Sequence, residues 1–222
     1  MSAAPVSQTL DQLDAGWAWG VYSPSEDSPW DTAAAAHLFR RAGFGANEQQ
    51  LRQAVAEGPA ATLDRLIAGG PESDSFYVGA TRLIRPLLAA NNVGSLPPWW
   101  LYVMLHSPHP LLEKLTLFWH SHFATSAEKV KDARLMYDQN VTLRKHALGR
   151  FGPMLTDMAR DPAMLLWLDS ATNRKLHPNE NFAREVMELF SLGLGHYTEQ
   201  DIKQAARAFT GWEVWQERFR SN

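Results

Sequence analysis

The chain of 222 residues has no cysteine. That absence removes disulfides, thiolate nucleophiles, zinc ribbons and iron–sulfur clusters together, because each needs a thiol. Positive charge is not in excess either: 21 Lys and Arg against 24 Asp and Glu leave a formal net charge of −3. Binding to phosphate backbones depends on basic residues, so nucleic acid is not an expected partner. The short Arg40-Arg41 and Lys129–Lys131 clusters do not alter that balance. No run approaches the ~18 apolar residues of a transmembrane helix. The opening MSAAPVSQTLDQLDAG has neither the basic start nor the apolar core of an export signal. As written, the chain reads as cytoplasmic. GxSxG, HExxH and phosphate-loop patterns are missing, and strand-like alternation is almost missing.

What is there has ordinary globular proportions, 45% hydrophobic and 20% charged. A chain of this length can bury roughly 70% of its unfolded surface, so it needs no metal merely to fold. Residues 1–30 mix Pro, Ser and Asp with Trp17, Trp19 and Trp30 and hold no sustained period, which predicts an irregular arm anchored by aromatics. Residues 31–222 are expected to form a helical domain.

Helix punctuation recurs along that domain. Asn47 with Gln50, Asp161 before Pro162, and Thr198 with Asp201 are N-terminal caps. The glycines at 43–45, 69–70 and 193–195 follow periodic runs, where a left-handed C-terminal residue is wanted. They close helices, whereas a nucleotide loop opens one. Periodicity predicts about nine or ten helices within 32–42, 47–57, 60–68, 74–91, 97–106, 110–124, 130–148, 153–160, 162–169, 179–192 and 198–210. The expected fold class is all-α, an irregular multi-helix globular bundle.

Two segments carry unusual chemistry. In Leu111–Thr125, about 100° per residue places Leu112, Leu115, Phe118, Trp119 and Phe123 on one arc, with His122 in its middle. His122 is then either a hydrogen-bonded core imidazole or an inward ligand or general base. His120, two residues away, falls on the opposite side near Glu113 and Thr116, so the pair cannot hold one metal from a regular helix.

In Asp169–Gly195, Phe182, Ala183, Val186, Met187, Leu189 and Phe190 share one helix face, with Glu180, Asn181, Arg184, Glu185 and Glu188 on the other. Glu180, Arg184 and Glu188 stand four apart, so one guanidinium can bridge two carboxylates in a solvated ladder. Asp169, Asn173, Arg174, His177, Asn179 and Asn181 lead in through a polar loop. Such a loop either stitches helices together or organises a site, with Glu185 and Glu188 as an acid–base pair or hard-cation ligands and Arg184 as an anion holder. The other histidines, the Asn140-Val141-Thr142 sequon and the Trp99-Trp100 pair read as structural.

HLFRRAGFGA (37–46), EKLTLFWHSHFATS (113–126), DPAMLLWLDSATNRKLHPNENFAREVMELFSLGLGHYTEQDI (161–202) and ARAFTGW (206–212) together resemble the bacterial family catalogued as domain of unknown function 1800. Ser121 and Leu176-His177 depart from its usual Asn and Gly-Lys-like residues. The resemblance implies a mainly helical protein. It also implies that the chain is an N-terminal portion or a shortened member, since the family usually continues past FTGW. Family members often carry export signals, which implies an envelope or secreted setting.

Two functions follow from these residues. One is a non-catalytic, envelope-associated partner or assembly protein, in which the His, Glu, Arg and Asn side chains form a buried polar network and the surface binds another protein chain. Arg184, flanked by two glutamates, tilts the reading this way. The other is a metal-assisted hydrolase or oxidoreductase, with His122, Glu185, Glu188 and Arg184 catalytic and a divalent metal on His120, His122, Glu185 and Glu188. That reading requires His122 and the Glu185/Glu188 face to converge around a cavity. The sequence does not indicate a substrate or an oligomeric state.

Overall fold

A computed structural model describes residues 19–215 and 218–221, together with Asp14 and Gly16. Eleven helices are described: α1 (Thr32–Ala42), α2 (Glu48–Ala68), α3 (Ser73–Ala89), α4 (Leu96–His106), α5 (Pro110–His122), α6 (Ala127–Val130), α7 (Ala133–His146), α8 (Phe151–Ala159), α9 (Pro162–Trp167), α10 (Asn181–Glu185) and α11 (Glu199–Ala208). The all-α fold class is therefore observed.

The caps do what their chemistry allows. Asn47 and Gln50 close a reciprocal box at 2.8 and 2.9 Å, Thr198 and Asp201 close another, and the Asp161 carboxylate accepts from the Met164 amide at 2.9 Å. Gly69 ends α2 at φ 73°, and a Cβ there would lie 2.6 Å from the His109 ring. Gly43 departs from the expectation, because it ends α1 in extended backbone at φ −165°. Within α2, Gly58 at φ 85° breaks the helix before Pro59, and Glu57 spans the break to Arg65 at 2.6 Å.

Three features differ from the periodicity reading. The expected helix over 130–148 is split, with Lys131 left-handed (φ 52°) between α6 and α7. The expected helix over 179–192 is α-helical only to Glu185 and then widens into a π-helical turn, Val186–Ser191, whose amide of Leu192 donates five residues back to Met187 O at 2.9 Å. The described residues close with an antiparallel strand pair, β1 (Trp212–Trp215) with β2 (Arg218–Ser221), pairing Trp212 with Ser221. Four residues per strand are too few to show a period of two.

The main core gathers Phe123, Leu143, Met154, Met158, Met164, Phe182 and Phe190 from the C-cap of α5, from α7, α8, α9 and α10, and from the π turn. Burying side chains of this size supplies about 1.5–3 kcal/mol each. A second cluster, Ala35, Phe39, Ala54 and Leu66, joins α1 to α2, and Ala183, Ile202 and Ala206 join α10 to α11. Of the expected arm anchors, Trp30 donates to Ala54 O at 2.8 Å, Trp19 is 89% exposed and anchors nothing, and Trp17 lies outside the described residues. No described helix is long and apolar enough to cross a membrane.

Candidate functional site

The two sides of α5 are both packed, and this overturns the expected arc. Phe118 is 56% exposed, while Glu113 and Thr116, expected on the outer side with His120, are fully buried. The reason lies on neighbouring helices. Arg144 of α7 grips Glu113 in a fork at 2.6 and 3.1 Å, the Tyr77 hydroxyl donates at 2.8 Å, and the Trp100 indole donates at 3.0 Å. Four donors thus saturate one buried carboxylate. Burial and the Glu113 charge raise the Tyr77 hydroxyl well above the usual phenol range, so it stays a donor. A second buried chain runs from Thr125 through Gln139 to Asp161 at 3.1 and 2.7 Å.

His122 lies on the other side of α5, half-buried among Trp119, Phe123, Phe151 and Phe190. Its Nε2 stands 3.1 Å from Phe190 O, a carbonyl of the π turn. A carbonyl can only accept, so Nε2 is the donor. His120 instead makes an edge contact with Trp100, ring centres 5.0 Å apart. The two histidines are therefore on separate faces, as helix geometry requires.

Most of the polar loop's side chains stitch neighbouring segments together. Buried Asn173 donates to Ala206 O at 2.8 Å and accepts from the Asn179 amide at 2.8 Å; the Asn179 side chain in turn accepts from the Asn181 amide at 2.9 Å. Arg174 pairs with Glu213 of β1. Asp169, left-handed at φ 57°, pairs with Lys129 at 2.9 Å. Arg184 meets Glu180 at 3.3 Å as expected, yet its second carboxylate is Glu199 of α11 at 2.8 and 2.9 Å, not Glu188. The π turn beginning at Val186 breaks the four-residue register on which Glu188 was expected to join, and Glu188 accepts from Tyr197 at 3.0 Å. Leu189, expected on the apolar face, is turned out to 60% exposure by the same widening.

Glu185 is left without a hydrogen bond or ion pair among the described residues. It lines a cleft of about 490 Å³ together with His122, Asn181, Arg184, Asp169 and Lys129. Burial raises its carboxyl above the ordinary value, the Glu188 charge adds to the rise, and Arg184 opposes it. Ala124, at φ 20°, also lines the cleft, so two non-glycine residues with positive φ border it. His120 and Glu188 are not on its walls. Among the described residues no group of three or more His, Asp or Glu side chains is placed to hold a metal ion, so His120, His122, Glu185 and Glu188 do not gather as one ligand set.

Sequence reasoning missed Glu113, Arg144, Tyr77, Gln139 and Lys129. The Trp99-Trp100 pair was the available signal, since a buried indole N–H demands an acceptor. The fold is an all-α bundle, and the cleft lies on it between α5, α9 and α10. The chain belongs to the family described as Protein of unknown function (DUF1800), which matches residues 37–222. No curated protein and no solved structure matches it.

Proposed function

We propose that the His122–Glu185 cleft is a small-molecule site in which Glu185 transfers a proton. The single observation that carries this reading is an unpaired, half-buried carboxylate with a raised pKa on a cleft wall it shares with His122. A carboxyl held above its ordinary value is a better acid near neutrality, and His122 lines the same cleft. Arg184 and the Lys129–Asp169 pair are occupied by their partners, which orients the walls without committing them to an anion. Among the described residues no three His, Asp or Glu side chains are placed as the ligands usual at a catalytic zinc, so the reading rests on proton transfer.

The test assays the purified chain against para-nitrophenyl esters, phosphates and glycosides over a range of pH. Turnover of one class is expected, reduced about 10²–10⁴-fold by Glu185→Gln with the melting temperature unchanged. No turnover of any class, or turnover that Glu185→Gln leaves intact, overturns the proposal.

A second reading, the non-catalytic envelope-associated partner, draws support from a different observation. Leu189, Leu192 and Leu194, at the end of the π turn, are 60%, 51% and 75% exposed. It expects a protein chain to be captured from envelope extracts by the unaltered chain and lost with Leu192→Asp and Leu194→Asp.

A further inference from the structure

Helices α3 and α4 form a hairpin with an uncovered apolar face. They run antiparallel: the Phe76 ring stacks on Tyr102 with centres 6.2 Å apart, and Ala80 O, one turn further along α3, accepts from the Trp99 indole at 2.9 Å. On α4, Pro98, Leu101, Tyr102 and Leu105 fall at i, i+3, i+4 and i+7, which is one side of a helix, and all four are exposed. Val103, on the other side, is fully buried. Leu101 and Leu105 are more than half exposed, and so are Val78 and Leu83 of α3. The Phe76–Tyr102 stack carries the apolar surface from one helix to the other. No Asp, Glu, Lys or Arg occurs anywhere in α4. A helix apolar all round is normally enclosed, and an exposed apolar patch of this kind marks an interaction surface.

Charge indicates what covers it. Of the 222 residues 24 are Asp or Glu, yet none lies between Asp74 and Glu113. Asp74 stands in the first turn of α3, and Glu113 is fully buried beneath its four donors. The same stretch contains Arg82 and Arg85, both exposed on α3, and neither makes a hydrogen bond or ion pair among the described residues. On a chain of net charge −3 this hairpin is therefore locally positive.

An apolar stripe with a tyrosine in it, flanked by unpaired arginines and without acids, is the complement of a bilayer with anionic headgroups. Leucines enter the acyl boundary, a tyrosine ring settles at headgroup depth, and guanidinium groups meet phosphates. An acidic protein would satisfy the arginines too, but protein interfaces are rimmed by polar contacts, and the exposed side of α4 offers only the Tyr102 hydroxyl and His106. Eleven residues of helix reach about 16 Å, half the thickness of a hydrocarbon core, so α4 can lie on a bilayer without crossing it. We propose that the α3–α4 hairpin docks the protein on the surface of an anionic lipid bilayer, with Leu101, Tyr102 and Leu105 in the interface and Arg82 and Arg85 on the headgroups. The inference uses neither the Glu185 cleft nor Leu189, Leu192 and Leu194, and stands apart from both readings above.

Flotation of the full chain with vesicles tests it, comparing phosphatidylcholine alone with phosphatidylcholine mixed with phosphatidylglycerol. Binding to the mixed vesicles is expected, about tenfold or more tighter than to phosphatidylcholine and weakened by salt. Arg82→Gln with Arg85→Gln should remove most of that preference. Leu101→Ser with Leu105→Ser should abolish binding to both kinds of vesicle with the melting temperature unchanged, because exposed side chains contribute little to folding. Equal binding to the two compositions, no binding to either, or binding that the leucine pair leaves intact overturns the assignment. So does a dimer, seen by sedimentation without lipid, that the leucine pair dissolves, since the face would then belong to a second copy of the chain. Should the leucine variant fail to fold, the two vesicle compositions with the unaltered chain still decide.

Discussion

Glu113→Gln is the sharpest probe of what holds the bundle together. The carboxylate is fully buried and accepts from four donors, Arg144 Nε and Tyr77 Oη on Oε1, and the Arg144 terminal nitrogen and Trp100 Nε1 on Oε2. A glutamine of the same shape has one oxygen, with two acceptor sites, and turns an NH₂ toward the other two donors. At least two buried donors lose their acceptor at about 1–3 kcal/mol each, and the guanidinium loses its counter-charge. The expected loss is about 3–5 kcal/mol, the range for breaking a buried pair. That is a large part of the roughly 5–15 kcal/mol that holds a domain folded.

Urea unfolding followed by far-ultraviolet circular dichroism measures it, and a double-mutant cycle with Arg144→Met isolates the pair. Arg144→Met alone leaves the Glu113 charge buried with only Tyr77 and Trp100 as donors. The double variant should therefore be less destabilised than the sum of the singles, by about 2 kcal/mol or more. A Glu113→Gln loss below about 1 kcal/mol, the value of an exposed ion pair, would refute the reasoning, as would simple additivity.

Other perturbations act through separate parts of the fold. Burial raises the Asp161 carboxyl from 3.8 to about 6, so between those values the folded chain binds more protons than the unfolded chain. The stability this group lends is present below about pH 4 and is lost as pH rises through about 6, by about 3 kcal/mol, and Asp161→Asn should flatten that part of a pH series of unfolding midpoints. Phe182→Ala, in the core against Phe209 and Trp212, should cost about 3–5 kcal/mol in the same unfolding assay. Gly69→Ala sets a Cβ 2.6 Å from the His109 ring at φ 73°, so a loss of about 1–3 kcal/mol is expected, and an unchanged midpoint would contradict the close approach.

Helix positions and caps were legible because they are written locally. A cap needs only its own side chain and an amide three residues on, so Asn47, Asp161 and Thr198 declared themselves. The faces of α5 were not legible, because a helix wheel ranks residues by their own polarity. Glu113 is acceptable inside only because Tyr77, Trp100 and Arg144, 36, 13 and 31 residues away, deliver donors to it. The Trp99-Trp100 pair signals that an acceptor is needed, but not that Glu113 supplies it. The Glu180–Arg184 contact was local and was found, whereas Arg184–Glu199 crosses from α10 to α11 and was not.

The π turn is where local reading and site chemistry part company, and the same backbone change connects several departures. A regular helix through Leu192 would keep Glu188 one turn above Arg184 and turn Leu189 toward the apolar face. Widening at Val186 instead sends Glu188 to Tyr197 and leaves Leu189 60% exposed on the cleft wall, while Phe190 O accepts from His122. Glu185, the last α-helical residue before the turn, has its pKa raised by burial and then by the Glu188 charge, and makes no ion pair among the described residues. Helical irregularities of this kind recur at functional sites because they cost backbone regularity that packing alone does not require. Restoring the regular register would return Glu188 to Arg184 and close the ladder that the four-residue spacing predicts.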